Sequence, residues 1–251
     1  MHLAPDSWTW MREHDADTFD ALVTDPPYSS GGFTRGDRAK TVGEKYSDRD
    51  SLNTQPDFDG DNRDQRGFLA WYTLWLTDAL RVLRTGAPVV LFTDWRQLPL
   101  TTDAMQAGGF LWRGIAVWAK TVCRPQMGRF AAQTEFAVWG SKGQIAEGKD
   151  IGTLPGVWSA PPVQRGDRNH VTEKPVTVMQ QAVRITPIGG TVLDLFTGSG
   201  STGVACLREG RRFVGVERSP HYFETAVRRL REEEKTQAAR VTRRRARTAA
   251  E

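Results

Sequence analysis

The stretch that most constrains this chain of 251 residues is Asp194-Leu195-Phe196-Thr197-Gly198-Ser199-Gly200-Ser201-Thr202-Gly203. Val192 to Phe196 reads as a buried strand and Ser201 to Glu209 as a helix, with a glycine-rich turn between them. Glycine lets the main chain approach a ligand closely, and the helix that follows presents free N–H groups. A further strand, Arg212 to Glu217, ends in an acid. Strand, turn, helix and strand in this order imply a parallel β-α-β unit. The glycine spacing also satisfies a dinucleotide-binding pattern through Gly198, Gly200 and Gly203, with Glu217 where a ribose diol is held. A nicotinamide enzyme therefore competes at this point. Asp194 pulls away from it, because an acid before the turn suits a ligand with a cationic group.

The remaining chain extends the same pattern. Met1 to Leu3 is expected as a very short strand, Asp6 to Glu13 as a helix and Phe19 to Asp25 as a strand. Phe68 to Leu83 places apolar residues at helical spacing, and Thr85-Gly86 ends it. Ala87 to Thr93 is apolar almost throughout, as in a strand buried on both faces. Thr101 to Ala107 is a short helix stopped by Gly108-Gly109, and Ile115 to Ala119 and Phe136 to Trp139 are paired strands. Lys174 to Ile185 is a helix, and Pro220 opens a last one in the favoured first-turn position. The expected fold is a doubly wound, mostly parallel, Rossmann-like α/β sheet with loop insertions. One domain is expected over 1–235, with insertions at 29–66 and 141–170. The basic tail, 236–251, is expected to fray or be disordered.

A second constellation is Asp25-Pro26-Pro27-Tyr28, at the end of a strand. Each proline lacks an N–H, fixes its own φ and pushes the residue before it toward extended geometry. The turn is therefore stiff. It holds a carboxylate, bare carbonyls and a ring at fixed separations. A plain strand-ending turn with an incidental tyrosine is the bland alternative. A third piece, Thr172-Glu173-Lys174-Pro175, stands before a helix, where Pro175 suits the first turn and Lys174 can meet an anion.

Charge bears on partners. The formal net charge is +4, and the excess lies in residues 224–251, with nine Lys/Arg against five Glu. The body is balanced, so any nucleic-acid footprint on it must be local. Lys120 to Gln133 carries Lys120, Arg124 and Arg129 with no acid and is the first candidate for contact with nucleic-acid phosphates or bases. Arg35, Arg38 and Lys40 follow the Asp25–Tyr28 turn and are weaker candidates. Two distant cysteines offer neither a disulfide framework nor a zinc site, which fits a reducing cytoplasm. The N-terminus has no basic-then-apolar signal pattern, and no run approaches a membrane span. The four histidines are scattered, and no metal is expected.

Taken together, these pieces resemble the amino-methylating DNA methyltransferases that use S-adenosylmethionine, in the permuted group where Asp-Pro-Pro-Tyr comes first and the cofactor loop last. The resemblance runs from about Leu3 to Leu230. Phe19 to Tyr28 resembles the catalytic strand and turn, and Val82 to Asp94 the next helix end and strand. Trp118-Ala119-Lys120, Gly128-Arg129-Phe130 and Glu135-Phe136-Ala137-Val138 resemble a later strand pair. His170 to Pro175 is similar to a His-Pro-Thr-Gln-Lys-Pro segment, departing at Val171 and Glu173. Asp194 to Thr202 is similar to Asp-Pro-Phe-Xaa-Gly-Ser-Gly-Thr-Thr, with Leu195 and Ser201 as departures. Pro5-Asp6 stands where the family has a Gly-Asp that touches the cofactor's adenine. The permutation also implies that Met1 to Leu3 completes the cofactor half beside the strand ending at Glu217.

The resemblance implies roles. Asp25 and the Pro26 carbonyl accept the two hydrogens of a base amino group, Pro27 helps fix the turn, and Tyr28 stacks on a base flipped from the duplex. S-adenosyl-L-methionine is the implied cofactor. Its residues are Asp6, Thr172, Lys174, Pro175, Asp194, Phe196, Thr197, Gly198, Ser199, Gly200, Ser201, Thr202 and Glu217, with Lys174 on the carboxylate and Glu217 on the ribose. DNA is the implied partner; a homodimer and a restriction endonuclease are further expectations. Adenine N6 is the expected target. Cytosine N4 stays open, although that branch more often has Ser where Asp25 stands. RNA or protein amide methylation and a non-catalytic nucleic-acid-binding role also stay open.

Overall fold

In the computed structural model, residues 1–29, 63–123, 125, 127–145, 151–164 and 173–248 are described. Eight strands form one sheet: β1 (His2–Leu3), β2 (Ala21–Thr24), β3 (Pro88–Thr93), β4 (Leu111–Lys120), β5 (Thr134–Ser141), β6 (Val157–Ala160), β7 (Thr191–Asp194) and β8 (Arg212–Glu217). Their order is β1-β8-β7-β2-β3-β5-β4-β6. Every pairing is parallel except those of β5, which runs antiparallel to both β3 and β4. The expected doubly wound, mostly parallel sheet is what the chain forms.

Among the described residues six helices accompany it: α1 (Ser7–Arg12), α2 (Gln65–Val82), α3 (Leu98–Ala107), α4 (Val176–Val183), α5 (Ser201–Arg208) and α6 (Pro220–Thr248). Alternation along the central strands decides which face each helix covers. Leu22, Val89 and Leu91 point into one buried cluster with Trp10 and Met11 of α1, Phe68, Trp75 and Leu76 of α2, and Met105 of α3. Ala21, Val23, Val90 and Phe92 point into the other, with Val178 and Met179 of α4 and Ala205 and Cys206 of α5. Each fully buried large apolar side chain contributes roughly 1.5–3 kcal/mol, so a sheet covered on both faces can hold β2 and β3 without any exposed position. Helix α2 starts where the Asp64 carboxylate accepts from the Gly67 N–H at 2.8 Å. Its buried residues, Phe68, Tyr72, Trp75, Leu76, Ala79 and Val82, recur every three or four positions.

Two connections set the site. From β7 the chain passes through α5 to β8 on one side; from β2 it passes through α2 to β3 on the other. The β7–β2 boundary is therefore the topological switch point, and ligands of such sheets bind outside the carboxyl ends of the strands there. Strand β1 pairs with β8 through His2–Val216 and Leu3–Glu217, as the permutation implied.

The structure adds detail to the insertions and the tail. Within residues 141–170, Val157–Ala160 forms β6, because β4 offers a free edge and Val117 to Lys120 pair with it in register. Helix α6 continues past Glu234 to Thr248, through a segment of good helix formers with no Gly or Pro. The segment 29–66 already contains the first residues of α2. Among the described residues no helix is long and apolar enough to cross a membrane.

Candidate active site

Asp25 is the residue after β2, and its carboxylate is engaged on both oxygens. The Tyr28 hydroxyl donates to Oδ1, and the Lys174 ammonium donates to Oδ2 at 2.6 Å. Lys174 is only 7% exposed. Its Nζ also lies 3.3 Å from Oε2 of Glu135, whose Oε1 is 2.7 Å from Nζ of Lys120. Two cations and two carboxylates thus alternate in one chain: Asp25, Lys174, Glu135, Lys120. The Lys174 ammonium also stands 5.0 Å from the centre of the Tyr28 ring and 5.7 Å from that of Phe92.

Burial and pairing compete across this chain. Burial raises the Asp25 carboxyl above its ordinary range, although the Lys174 cation and the Tyr28 hydroxyl oppose it. Burial works on Glu135 in the same sense, but Lys174 and Lys120 overcome it and hold that carboxyl low. Burial disfavours the Lys174 ammonium, and Asp25 and Glu135 together raise it regardless. Burial next to Asp25 pushes the Tyr28 phenol well up, so it remains a donor.

The other half of the site is built on Asp194, 1% exposed at the end of β7. Its carboxylate accepts from Thr24 Oγ1 at 2.6 Å, Thr202 Oγ1 at 2.6 Å and the Phe196 N–H at 3.1 Å. Burial still pushes its carboxyl up to about 6, with those donors pulling the other way. Among the described residues no cation pairs with it. Gly200 adopts φ +87°, and a Cβ there would lie 2.9 Å from Cβ of Ala226 on α6. Only glycine lets the turn run this close to α6. Helix α5 begins at Gly200 without a side-chain cap. Glu217 accepts from the N–H groups of Gly198, Arg218 and Ser219 at 2.7, 3.0 and 2.8 Å, and burial raises its carboxyl against those bonds.

Both halves open into one cavity of about 410 Å³. Its walls include Asp6, Asp25, Pro26, Pro27, Tyr28, Lys174, Asp194, Phe196, Thr197, Gly198, Ser199, Ser201, Thr202 and Glu217. The expected catalytic and cofactor residues are therefore neighbours in space. Pro175 stands at the start of α4 behind Lys174, and Gly200 sits under the turn.

Several of these residues also have partners within the protein. The Lys174 ammonium is bonded to Asp25 at 2.6 Å and lies 3.3 Å from Glu135. Asp6 caps α1, accepting from the Thr9 N–H and Oγ1 at 2.6 and 3.0 Å. Lys120, read as a DNA contact, is turned inward onto Glu135 and over the Trp118 ring. Arg129 is exposed in the loop between β4 and β5. Thr172, Arg35, Arg38, Lys40 and Arg124 lie outside the described residues.

Three site residues carried no expectation of a role: Thr24, Glu135 and Arg229. Thr24 had a signal, a polar residue ending an apolar strand directly before Asp25. Arg229 had none. From α6 it donates to the Ser199 carbonyl at 2.8 Å and the Ser199 hydroxyl at 2.9 Å, and it pairs with Glu173 at 2.8 Å. It thereby ties the glycine turn to the segment that carries Lys174.

Comparison with known proteins follows the same geometry. A family model described as DNA methylase matches residues 19–228, from the strand before Asp25 to α6. The protein YubD of Escherichia coli (strain K12) is 30% identical over 223 residues, 88% of this chain and 85% of that protein. Among solved structures, the M1.HpyAVI–SAM complex superposes with a TM-score of 0.64 at 23% identity, covering 91% of this chain and 97% of that one. The cytosine-N4-specific PvuII DNA methyltransferase superposes with a TM-score of 0.68 at 16% identity, covering 92% and 85%. These two structures share the fold.

Proposed function

Because the chain belongs to the N6/N4 DNA methylase family, we propose that it transfers the methyl group of S-adenosyl-L-methionine to the N6 amino group of adenine in DNA. The observation that carries this reading is the meeting of Asp25 and Asp194 in one cavity at the switch point. One carboxylate suits an amino group and the other a cationic ligand.

The residues fit the proposed cofactor. Asp194 is a buried acid with three neutral donors, raised toward protonation, and a ligand ammonium would restore its charge. The turn from Phe196 to Thr202 and the uncapped start of α5 offer N–H groups to a carboxylate. Glu217, fixed by three N–H donors, keeps acceptor capacity for ribose hydroxyls. When bound, the cofactor supplies an electrophilic methyl group on a sulfonium.

The protein's own task is to prepare the nitrogen. An exocyclic amino group is a poor nucleophile because its lone pair is delocalised into the ring. Asp25 and the Pro26 carbonyl accept its two hydrogens and favour a pyramidal nitrogen. Pro26 and Pro27 hold those acceptors still, so little reorganisation is needed. The Tyr28 ring stacks on the flipped base, whose extrusion costs a few kcal/mol. The proton becomes acidic once nitrogen carries the methyl group, so Asp25 accepts it without being a strong base.

DNA contact is assigned to the loop from Thr121 to Gln133, which leaves the carboxyl end of β4 on the same sheet edge as Asp25. Arg129 is exposed there, beside Met127 and Phe130, whose side chains are entirely free of the body. Such a loop can pair a phosphate with apolar contact to bases. Target selection is assigned to residues 29–66 and 141–170. A homodimer and a restriction endonuclease belong to the same reading as partners.

Cytosine N4 is the second reading, favoured by the fold shared with the PvuII enzyme and by identical amine chemistry. One experiment separates the two. DNA incubated with the protein and labelled S-adenosylmethionine is digested to nucleosides. Labelled N6-methyladenine is expected, labelled N4-methylcytosine would establish the alternative, and no label in any DNA overturns both. Asp25→Ala is expected to abolish transfer while cofactor binding persists.

A further inference from the structure

We infer that Glu135 is a positioning residue: it is the second seat of the Lys174 ammonium, taken up when the amino group of the target base claims Oδ2 of Asp25. The inference rests on the amino-methylation reading above.

The starting point is a conflict. Both oxygens of Asp25 already accept internal donors, Tyr28 on Oδ1 and Lys174 on Oδ2. Each oxygen keeps a further lone pair, but an amino group that donates to Oδ2 shares that oxygen with the Lys174 ammonium, and sharing weakens the hold on the lysine. Tyr28 is three residues away on the same stiff turn, and Lys174 reaches in from 149 residues further along the chain. The lysine has the flexible stem and is the partner that can yield.

A displaced ammonium needs somewhere to go. Lys174 is buried, and a buried cation stripped of its counter-ion is strongly unfavourable. Glu135 Oε1 is held by Lys120 at 2.7 Å. Its Oε2 is buried, accepts no hydrogen bond and lies 3.3 Å from the Lys174 ammonium. A buried carboxylate oxygen without a donor is costly and uncommon. Here it faces the one ammonium that must move. A shift of about half an ångström brings Nζ to ordinary charge-assisted bonding distance. The four-member chain keeps its net charge throughout, because Lys174 only changes which carboxylate it favours.

The groups acting on Asp25 come from several elements. Tyr28 and Lys174 bond to it, Glu135 acts from β5, and Asp25 in turn acts on Tyr72 of α2 and Asp194 of β7. Lys120 acts on Glu135 from β4. Glu135→Gln removes one anion from this set and leaves the others in place.

The test is single-turnover methyl transfer to DNA across pH, with cofactor binding measured by calorimetry. Glu135→Gln is expected to slow the transfer step by about ten- to a hundredfold, with cofactor affinity unchanged. The acid limb of its rate profile should move to lower pH, since Asp25 loses a neighbouring anion and keeps Lys174. Glu135→Asp should recover part of the rate. In a Lys174→Met background, Glu135→Gln should no longer slow the reaction, because no ammonium remains to be seated. An unchanged rate in Glu135→Gln overturns the inference. So does an equal loss in the Lys174→Met background, or a loss that tracks cofactor affinity. A wild-type protein that methylates no DNA overturns the functional reading itself, and the inference falls with it.

Discussion

The hydroxyl of Thr24 donates to the carboxylate of Asp194 at 2.6 Å, joining residues 170 positions apart in the chain. Each ends a parallel strand at the switch point, and each is followed by a segment of the site. Thr24 leads directly into Asp25, and Asp194 into the glycine turn. The bond therefore fixes the spacing between the half proposed to hold the base and the half proposed to hold the methyl donor.

Thr24→Val keeps the shape of the side chain and deletes that bond. Asp194 Oδ1 would retain only the Phe196 N–H at 3.1 Å. The expected loss of stability is about 1–3 kcal/mol, read from the midpoint of denaturant unfolding.

Asp194 also sets a pH response. Its carboxyl is raised from 3.8 to about 6 in the folded protein. The folded state thus keeps a proton that the unfolded state has lost, and stability falls as pH rises between those values. The penalty is about 3 kcal/mol once the group is ionised. A cationic ligand group favours the ionised form, so cofactor affinity should weaken as pH drops through about 6. Calorimetric titrations from pH 5 to 8 should show this in the wild type, and Asp194→Asn should flatten it.

Lys174→Met leaves Asp25 and Glu135 buried without their shared cation. The expected cost is about 3–5 kcal/mol. It should be greatest near neutral pH and shrink below about pH 4, where carboxylates of the unfolded chain are protonated as well. Glu135→Gln added to this variant should return part of the stability. Thermal unfolding of the two proteins at several pH values decides the matter.

Arg229→Leu releases the glycine turn from α6. Cofactor affinity should fall about tenfold, equivalent to roughly 1.4 kcal/mol, while the rate at saturating cofactor changes little. Calorimetry and a kcat measured at high cofactor separate these effects. A fall in kcat with affinity intact would show that Arg229 acts on the catalytic turn instead.

What could be read in the sequence was whatever local chemistry writes into a few adjacent residues. Glycines at 198, 200 and 203, two prolines after Asp25 and apolar runs in β3 and β7 each declare a backbone shape on their own. Strand β6 did not declare itself, because Val-Trp-Ser-Ala is too short for periodicity and owes its form to the edge of β4. The same holds for the charge chain. Lys120 looked like a solvent-facing cation because its partner, Glu135, lies across the β4–β5 pair rather than beside it in sequence. Lys174 looked like an anion site for the same reason: Asp25 comes to it only through the folded sheet.

The pairing of His2–Leu3 with Val216–Glu217 has a consequence for the order of events during synthesis. The chain emerges N-terminus first, at about 5–20 residues per second. Strand β1 must therefore wait roughly ten seconds or more for β8, the strand beside it. Asp25 and its turn leave the ribosome long before Asp194, the glycine turn and Glu217. A nascent chain thus carries the corner proposed for the base well before the turn proposed for the methyl donor. The cavity is therefore complete only once β8 has been made, and β1 pairs along β8 only after that.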